Sequence, residues 1–279
     1  MDIFQSLVIG VVQGLTEFIP VSSTAHVRVI PALAGWPDPG AAFSAVIQLG
    51  TLVAVLLYFR REIVLLVVSG VAFALRFNRR ETLDPDTRRH GRMAWYIVVG
   101  SIPIGIVGLV FKDKIETDAR SLYLIGATLM ALAVVLAFAE RVSSRTRKME
   151  EIGFADSQVI GWAQVLSLVP GVSRSGVTIT AGLFRGLNRE TAARFSFLLS
   201  IPALLASGLF ELRKVASDGI GDTSTVNVAL ATVVAFVVGY ASIAFLLRFL
   251  QTRSTWVFIV YRIVFGAIIV GLTAAAVIS

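Results

Sequence analysis

Apolar residues run through this chain in blocks close to the thickness of a lipid bilayer, and the breaks between blocks are as informative as the blocks. An uninterrupted helical crossing needs roughly 20 apolar residues. Blocks near that length lie at about 43–59, 93–111, 122–139, 195–210, 226–247 and 256–278, and predict six transmembrane helices. The run Ile63–Leu75 is too short to cross comfortably and is expected to lie along the surface. Two further regions break the pattern. Residues 3–34 and 157–190 are apolar but interrupted by a polar, proline-bearing centre, QGLTEFIPVSSTAH (Gln13–His26) in the first and WAQVLSLVPGVSRSGVT (Trp162–Thr178) in the second. Each reads as a re-entrant hairpin: helix, polar tip, then a helix capped by a serine. Non-helical backbone at membrane depth is tolerated only where it is buried in protein or lines a cavity. The fold class is therefore all-α, a polytopic integral membrane protein in a single membrane domain over 1–279.

Composition agrees. Only 15% of residues are charged, where a soluble domain has about a quarter, and mean hydropathy is +0.81. There is no cysteine, which excludes disulfide and thiol chemistry. The net charge of +7 in a soluble chain would raise nucleic acid as a partner, but here the arginines sit between apolar blocks. The segment Arg76–Arg92 holds six arginines and Glu140–Glu151 is again basic, so the positive-inside rule places both in the cytoplasm and no nucleic acid is expected. Lys112–Arg120 and Glu211–Thr225 then read as loops on the opposite side, and His90 as a solvated loop residue. Arg185, Arg189 and Arg194 are expected to be solvated at the interface. The N-terminus lacks a basic segment followed by a plain apolar core, so no removable signal peptide is expected.

The two polar centres align with small gaps. Gln13, Leu15, Thr16 and Pro20 match Gln164, Leu166, Ser167 and Pro170; downstream, Phe43-Ser44 matches Phe195-Ser196 and Gln48 matches Ser200. The loop assignments send the two copies through the bilayer in opposite senses. This predicts an inverted repeat, with repeat one at about 1–111 and repeat two at about 152–279, whose hairpins meet near the midplane around a site.

The residues at the tips suggest what that site handles. Gln13 and Glu17, one helical turn apart, could hold a hard divalent cation bridging phosphate oxygens. Ser22, Ser23 and Thr24 supply hydroxyls. His26 follows Ser23 by three residues and is a candidate general acid or base beside a candidate nucleophile. In the second tip Gly171 allows close backbone approach, while Ser173, Arg174, Ser175 and Thr178 supply donors at a helix N-terminus, a setting suited to phosphate. Capping alone would explain the hydroxyls, but not Arg174 deep in apolar sequence. Arg262, inside the last span, is a weaker candidate for a second phosphate contact. The chemistry fits either a phosphatase acting on a lipid-linked phosphate or a carrier or flippase of an anionic substrate.

At these residues the chain resembles the undecaprenyl-diphosphatase family, also called the bacitracin-resistance proteins. The resemblance rests on Gln13-Gly14-Leu15-Thr16-Glu17, on Pro20–His26, on P-G-x-S-R-S-x-x-T at Pro170–Thr178, on Phe195–Leu199 and on Tyr261-Arg262. It departs at Gln13, an amide where some members carry a second carboxylate, and at Ala25 in place of an expected glycine. The resemblance implies hydrolysis of undecaprenyl diphosphate to the monophosphate, recycling the lipid carrier for cell-wall polymers. It also implies the bacterial cytoplasmic (inner) membrane and a divalent cation, Mg2+ or Ca2+. In the scheme it suggests, Ser23 attacks the terminal phosphorus, His26 with Glu17 handles the proton, and Arg174, Ser173, Ser175 and Thr178 hold the diphosphate. His26 as nucleophile, or as activator of water, stays open beside it. A homodimer is compatible with the sequence.

Overall fold

The computed structural model describes residues 1–111, 121–218 and 224–278, and it is helical with only an isolated backbone bridge between Arg147 and Leu187. Eleven α-helices follow in order: α1 Ile3–Phe18, α2 Ser23–Ala34, α3 Gly40–Tyr58, α4 Arg60–Leu75, α5 Pro85–Val110, α6 Leu122–Val142, α7 Phe154–Val165, α8 Arg174–Phe184, α9 Arg189–Asp218, α10 Thr225–Thr252 and α11 Trp256–Ala274. Among the described residues, α5, α6, α9, α10 and α11 are long and apolar enough to cross a membrane. α3 and α4 meet at a 75° bend and make a sixth candidate if taken as one broken span. The chain is a multi-pass membrane protein.

The two interrupted regions fold as helix–tip–helix units. α1 starts with a reciprocal cap, in which Asp2 accepts from the Gln5 amide and Gln5 accepts from the Asp2 amide. It ends before Pro20, since a proline cannot donate within a helix and disfavours helical backbone before it. The second unit begins at Phe154, slightly before the expected 157, and its return helix ends at Phe184. The return helices start alike. Ser22 caps α2 at φ 74° and Ser173 caps α8 at φ 68°, each accepting from the amide three residues on. Positive φ costs an L-residue about 1–2 kcal/mol, so both tips must be held from outside.

The packing holds them. α1 packs against α10, and α7 against α5; α3 packs against α10, and α9 against α5. These pairs map onto one another when the two halves are exchanged. The helices approach closely where side chains are absent: a Cβ on Gly161 of α7 would lie 2.1 Å from the Gly100 carbonyl oxygen of α5, and one on Gly10 of α1 would lie 2.6 Å from that of Ala231 of α10. Each hairpin is thus wedged against a full-length helix of the opposite half.

Several boundaries differ from the expectation for one reason, which is that hydropathy does not register polar helical turns. The helix expected at 93 begins at Pro85, in the basic segment, capped by Asp84 with Pro85 in its first turn. His90 therefore lies on a helix, its Nδ1 on the Asp86 carbonyl. α9 continues through most of the expected loop 211–225, to Asp218. Ile63–Leu75 is part of α4, whose Gly70 carbonyl accepts from the Trp95 indole of α5. The expected loop Lys112–Arg120 lies outside the described residues. Arg185, Arg189 and Arg194 are not merely solvated: Arg185 pairs with Asp156, Arg189 with Glu140 and Arg194 with Glu62. Asp156 also takes Arg147, and Glu140 takes Arg145 and the Thr255 hydroxyl.

Candidate active site

The two tips meet around the carboxylate of Glu17. It is 6% exposed, a charge that only a full set of donors can hold in apolar surroundings. It has that set. Oε2 accepts from Gln13 Nε2 at 2.8 Å and from the Ser23 hydroxyl at 2.8 Å. Oε1 accepts from Arg174 Nη2 at 2.7 Å and from Gln48 Nε2 at 3.2 Å. Glu17 and Arg174 come from opposite hairpins, so this ion pair closes the site across the two halves. Arg174 Nη1 reaches the Ser200 carbonyl of α9 at 3.4 Å.

A cavity of about 430 Å³ opens against this pair. Its polar end is Glu17, Ser22, Ser23, Thr24 and Gln48 on one side and Gly171, Ser173 and Arg174 on the other. Its apolar wall runs along α5 through Ile104 and Leu109 and along α9 through Leu204 and Phe210. Both helices start at the basic end of the molecule, so the cavity lies toward the opposite end. Its shape suits a ligand with an anionic head and an apolar body. Gly171 stands where Thr128 Oγ1 grips the Pro170 carbonyl at 2.7 Å; a Cβ there would lie 2.2 Å from that oxygen.

Other expected residues lie outside the cavity lining. Arg262 is fully buried and spent on backbone, donating to the Pro20 carbonyl at 3.5 Å and the Val172 carbonyl at 2.9 Å. It ties the two tips together from outside the cavity lining, with its Nε buried and without a hydrogen-bond partner among the described residues. Ser175 bridges to Ser173 at 3.3 Å and to the Ile19 carbonyl at 3.4 Å. Thr178 is buried against Ser196 and the Arg174 carbonyl. Both brace the tips from behind. His26 and Ser23 do not meet as their spacing suggests. The imidazole's Nδ1 sits 2.7 Å from the Ser22 carbonyl, which fixes the proton there, and Nε2 accepts from the Tyr261 hydroxyl at 2.6 Å. The ring stacks on Phe265, with centroids 4.4 Å apart. Residues three apart share a helix face, but the Ser23 side chain turns back to α1 while His26 turns to α11.

A family model described as "Bacitracin resistance protein BacA" matches residues 6–268. The chain belongs to this family. Curated relatives are close over nearly the whole length. A protein of Chlorobaculum parvum is 51% identical over 95% of both chains, one of Chlorobium chlorochromatii 51% over all of both, and one of Prosthecochloris aestuarii 50% over 98% of both; each is named undecaprenyl-diphosphatase.

In this BacA-family chain Gln48 belongs to the site although it lies outside both polar tips. The signal for it was present, a lone amide within an apolar span. For a divalent cation, the oxygens about Glu17 are hard: its own carboxylate, the Ser23 hydroxyl and the carboxamide oxygens of Gln13 and Gln48. The N–H groups of those two amides now face Glu17 and would have to turn, with Arg174 leaving Oε1, for an ion to enter. Among the described residues no three His, Cys, Asp or Glu side chains gather. The set fits an ion held by one carboxylate and completed by substrate phosphate oxygens, the usual manner of Mg2+. It does not fit an all-protein cage.

Proposed function

We infer that this chain hydrolyses undecaprenyl diphosphate to undecaprenyl phosphate and inorganic phosphate within a membrane. The observation that carries the mechanism is the Ser23–Glu17–Arg174 array at the polar end of an otherwise apolar cavity. The start of the lipid tail lies along the α5–α9 wall and the diphosphate reaches the tips. Arg174 exchanges Glu17 for the substrate's oxygens and offsets their charge, helped by the Ser173 and Thr24 hydroxyls. Ser23 Oγ gives its proton to Glu17 Oε2 and attacks the terminal phosphorus. The Oγ–P bond forms as the bridging P–O bond breaks, and undecaprenyl phosphate leaves. Glu17 passes the serine's proton to the departing undecaprenyl phosphate and is again a carboxylate. Water then gives it a proton as the water oxygen bonds to phosphorus and the Oγ–P bond breaks, and Glu17 returns the proton to Ser23 Oγ as phosphate departs. Glu17 with Gln13 would hold a divalent cation, which when bound supplies charge neutralisation at the phosphate oxygens. His26 holds the tip's backbone.

By the positive-inside rule the cavity lies toward the outer face of the bacterial cytoplasmic membrane. Regenerating the monophosphate there returns the lipid carrier to cell-wall synthesis, which accords with the family's link to bacitracin resistance. The test is phosphate release from undecaprenyl diphosphate by purified protein in detergent, with rapid quenching to trap a phosphoenzyme. A phosphoserine at residue 23 is expected. A phosphoenzyme that survives Ser23→Ala overturns the serine scheme, and absence of hydrolysis by folded wild type overturns the activity.

A further inference from the structure

Glu17 has four donors, and three come from the tips themselves. Gln13 lies one turn away on α1, Ser23 opens α2 of the same hairpin and Arg174 belongs to the other tip. Gln48 alone reaches in from α3, whose neighbouring Ile47 and Thr51 are fully buried and anchor that turn. It also lines the cavity.

The matching residue of the second half has a matching place. Ser200 stands on α9 where Gln48 stands on α3, and its carbonyl accepts from Arg174 at 3.4 Å. Each long helix therefore braces the charged residue of its own half's tip, Gln48 the carboxylate and Ser200 the guanidinium. The two braces differ in what happens when an anion arrives. Arg174 turns to the diphosphate and its hold on Oε1 weakens. Gln48 is then the remaining described donor on that oxygen.

We propose that Gln48 is a positioning residue for phosphoryl transfer: its amide pins Oε1 of Glu17 so that Oε2 stays aimed at the Ser23 hydroxyl. This rests on the reading of Glu17 as the acceptor of the serine's proton. Without the amide, the carboxylate rotates once Arg174 leaves, and Ser23 loses its acceptor when it must attack. The substrate's affinity, set by Arg174 and the apolar wall, is unaffected.

The test is steady-state hydrolysis of undecaprenyl diphosphate by purified Gln48→Met, which keeps the length of the side chain and removes the donor. Gln48→Leu serves as a second variant should one misfold. Expected is a fall in kcat of roughly 10- to 100-fold, the cost of a small misplacement at a reacting group, with KM within about twofold. Melting temperature stays near wild type. Combined with Glu17→Gln, either substitution changes the residual rate no further, because the residue through which Gln48 acts is already disabled. A wild-type kcat in folded Gln48→Met, an effect confined to KM, or an equal fold loss in the Glu17→Gln background overturns the proposal. A wild-type rate in Glu17→Gln itself instead overturns the reading of Glu17 beneath it, so the two failures are distinguishable.

Discussion

The Ser23 hydroxyl donates to Oε2 of Glu17 at 2.8 Å, across the turn of the first hairpin. The proposed nucleophile and its proposed base are thus adjacent in the resting protein. Ser23→Ala and Glu17→Gln are each expected to lower kcat by about 10²–10⁴-fold, the range of general-base catalysis. The double variant should be no slower than the worse single one, since groups acting as a unit are not additive. Multiplicative losses in that cycle would separate the two residues' roles.

His26 is placed to hold structure. Removing the Tyr261 hydroxyl removes the partner of Nε2, so Tyr261→Phe should cost about 0.5–1.5 kcal/mol of stability, with a modest loss of rate. His26→Ala also removes the stack on Phe265 and the bond to the Ser22 carbonyl, and should cost roughly 2–4 kcal/mol. Melting in detergent, read beside activity, checks this: rate and stability should fall together. A His26→Ala protein as inactive as Ser23→Ala but of wild-type melting temperature would make the imidazole a direct participant.

Arg262 ties Pro20 to Val172, one carbonyl from each tip. A lysine has no planar fork to serve both. Arg262→Lys and Arg262→Ala should both lower the melting temperature, with each stranded carbonyl costing roughly 1–3 kcal/mol. In whatever fraction stays folded, KM for substrate should change little, because Arg262 does not line the cavity. A KM effect as large as that of Arg174→Ala assayed alongside would restore it as a phosphate ligand.

The single carboxylate at the site bears on metal dependence. Chelation should abolish hydrolysis and added Mg2+ or Ca2+ should restore it. Gln13→Glu, which supplies a second carboxylate, should lower the cation concentration needed for half-maximal rate. Activity indifferent to chelator would remove the cation from the mechanism.

Asp156 lies at the base of the second hairpin, outside the apolar spans. Burial pushes its carboxyl up, but Arg147, the Gly153 amide and Arg185 outweigh this and hold it down at about 2. Because the folded value lies below the unfolded one, the stabilisation is full above about pH 4 and is lost as pH falls toward 2. Melting temperature should fall across that window, and Asp156→Asn should start lower and show a flatter acid limb.

The sequence by itself determined the class of fold and the identity of the residues at its centre. Bilayer-length apolar blocks admit only helices in lipid, the polar centres around Pro20 and Pro170 break two regions too early for an uninterrupted crossing, and the basic segments predict the orientation by the positive-inside rule. A carboxylate and a guanidinium inside apolar sequence must find partners, so Glu17 and Arg174 were legible as a site before any geometry. Helical spacing also shows which residues share a face. It does not show what stands opposite that face. Only the tertiary structure decided that Ser23 turns to Glu17 and His26 away, that Arg262 reaches one carbonyl of each tip, and that Gln48, in a plain apolar span, adds the fourth donor to the carboxylate. Those outcomes depend on which helices are pressed together and at what depth, and that follows from packing between the two halves of the molecule.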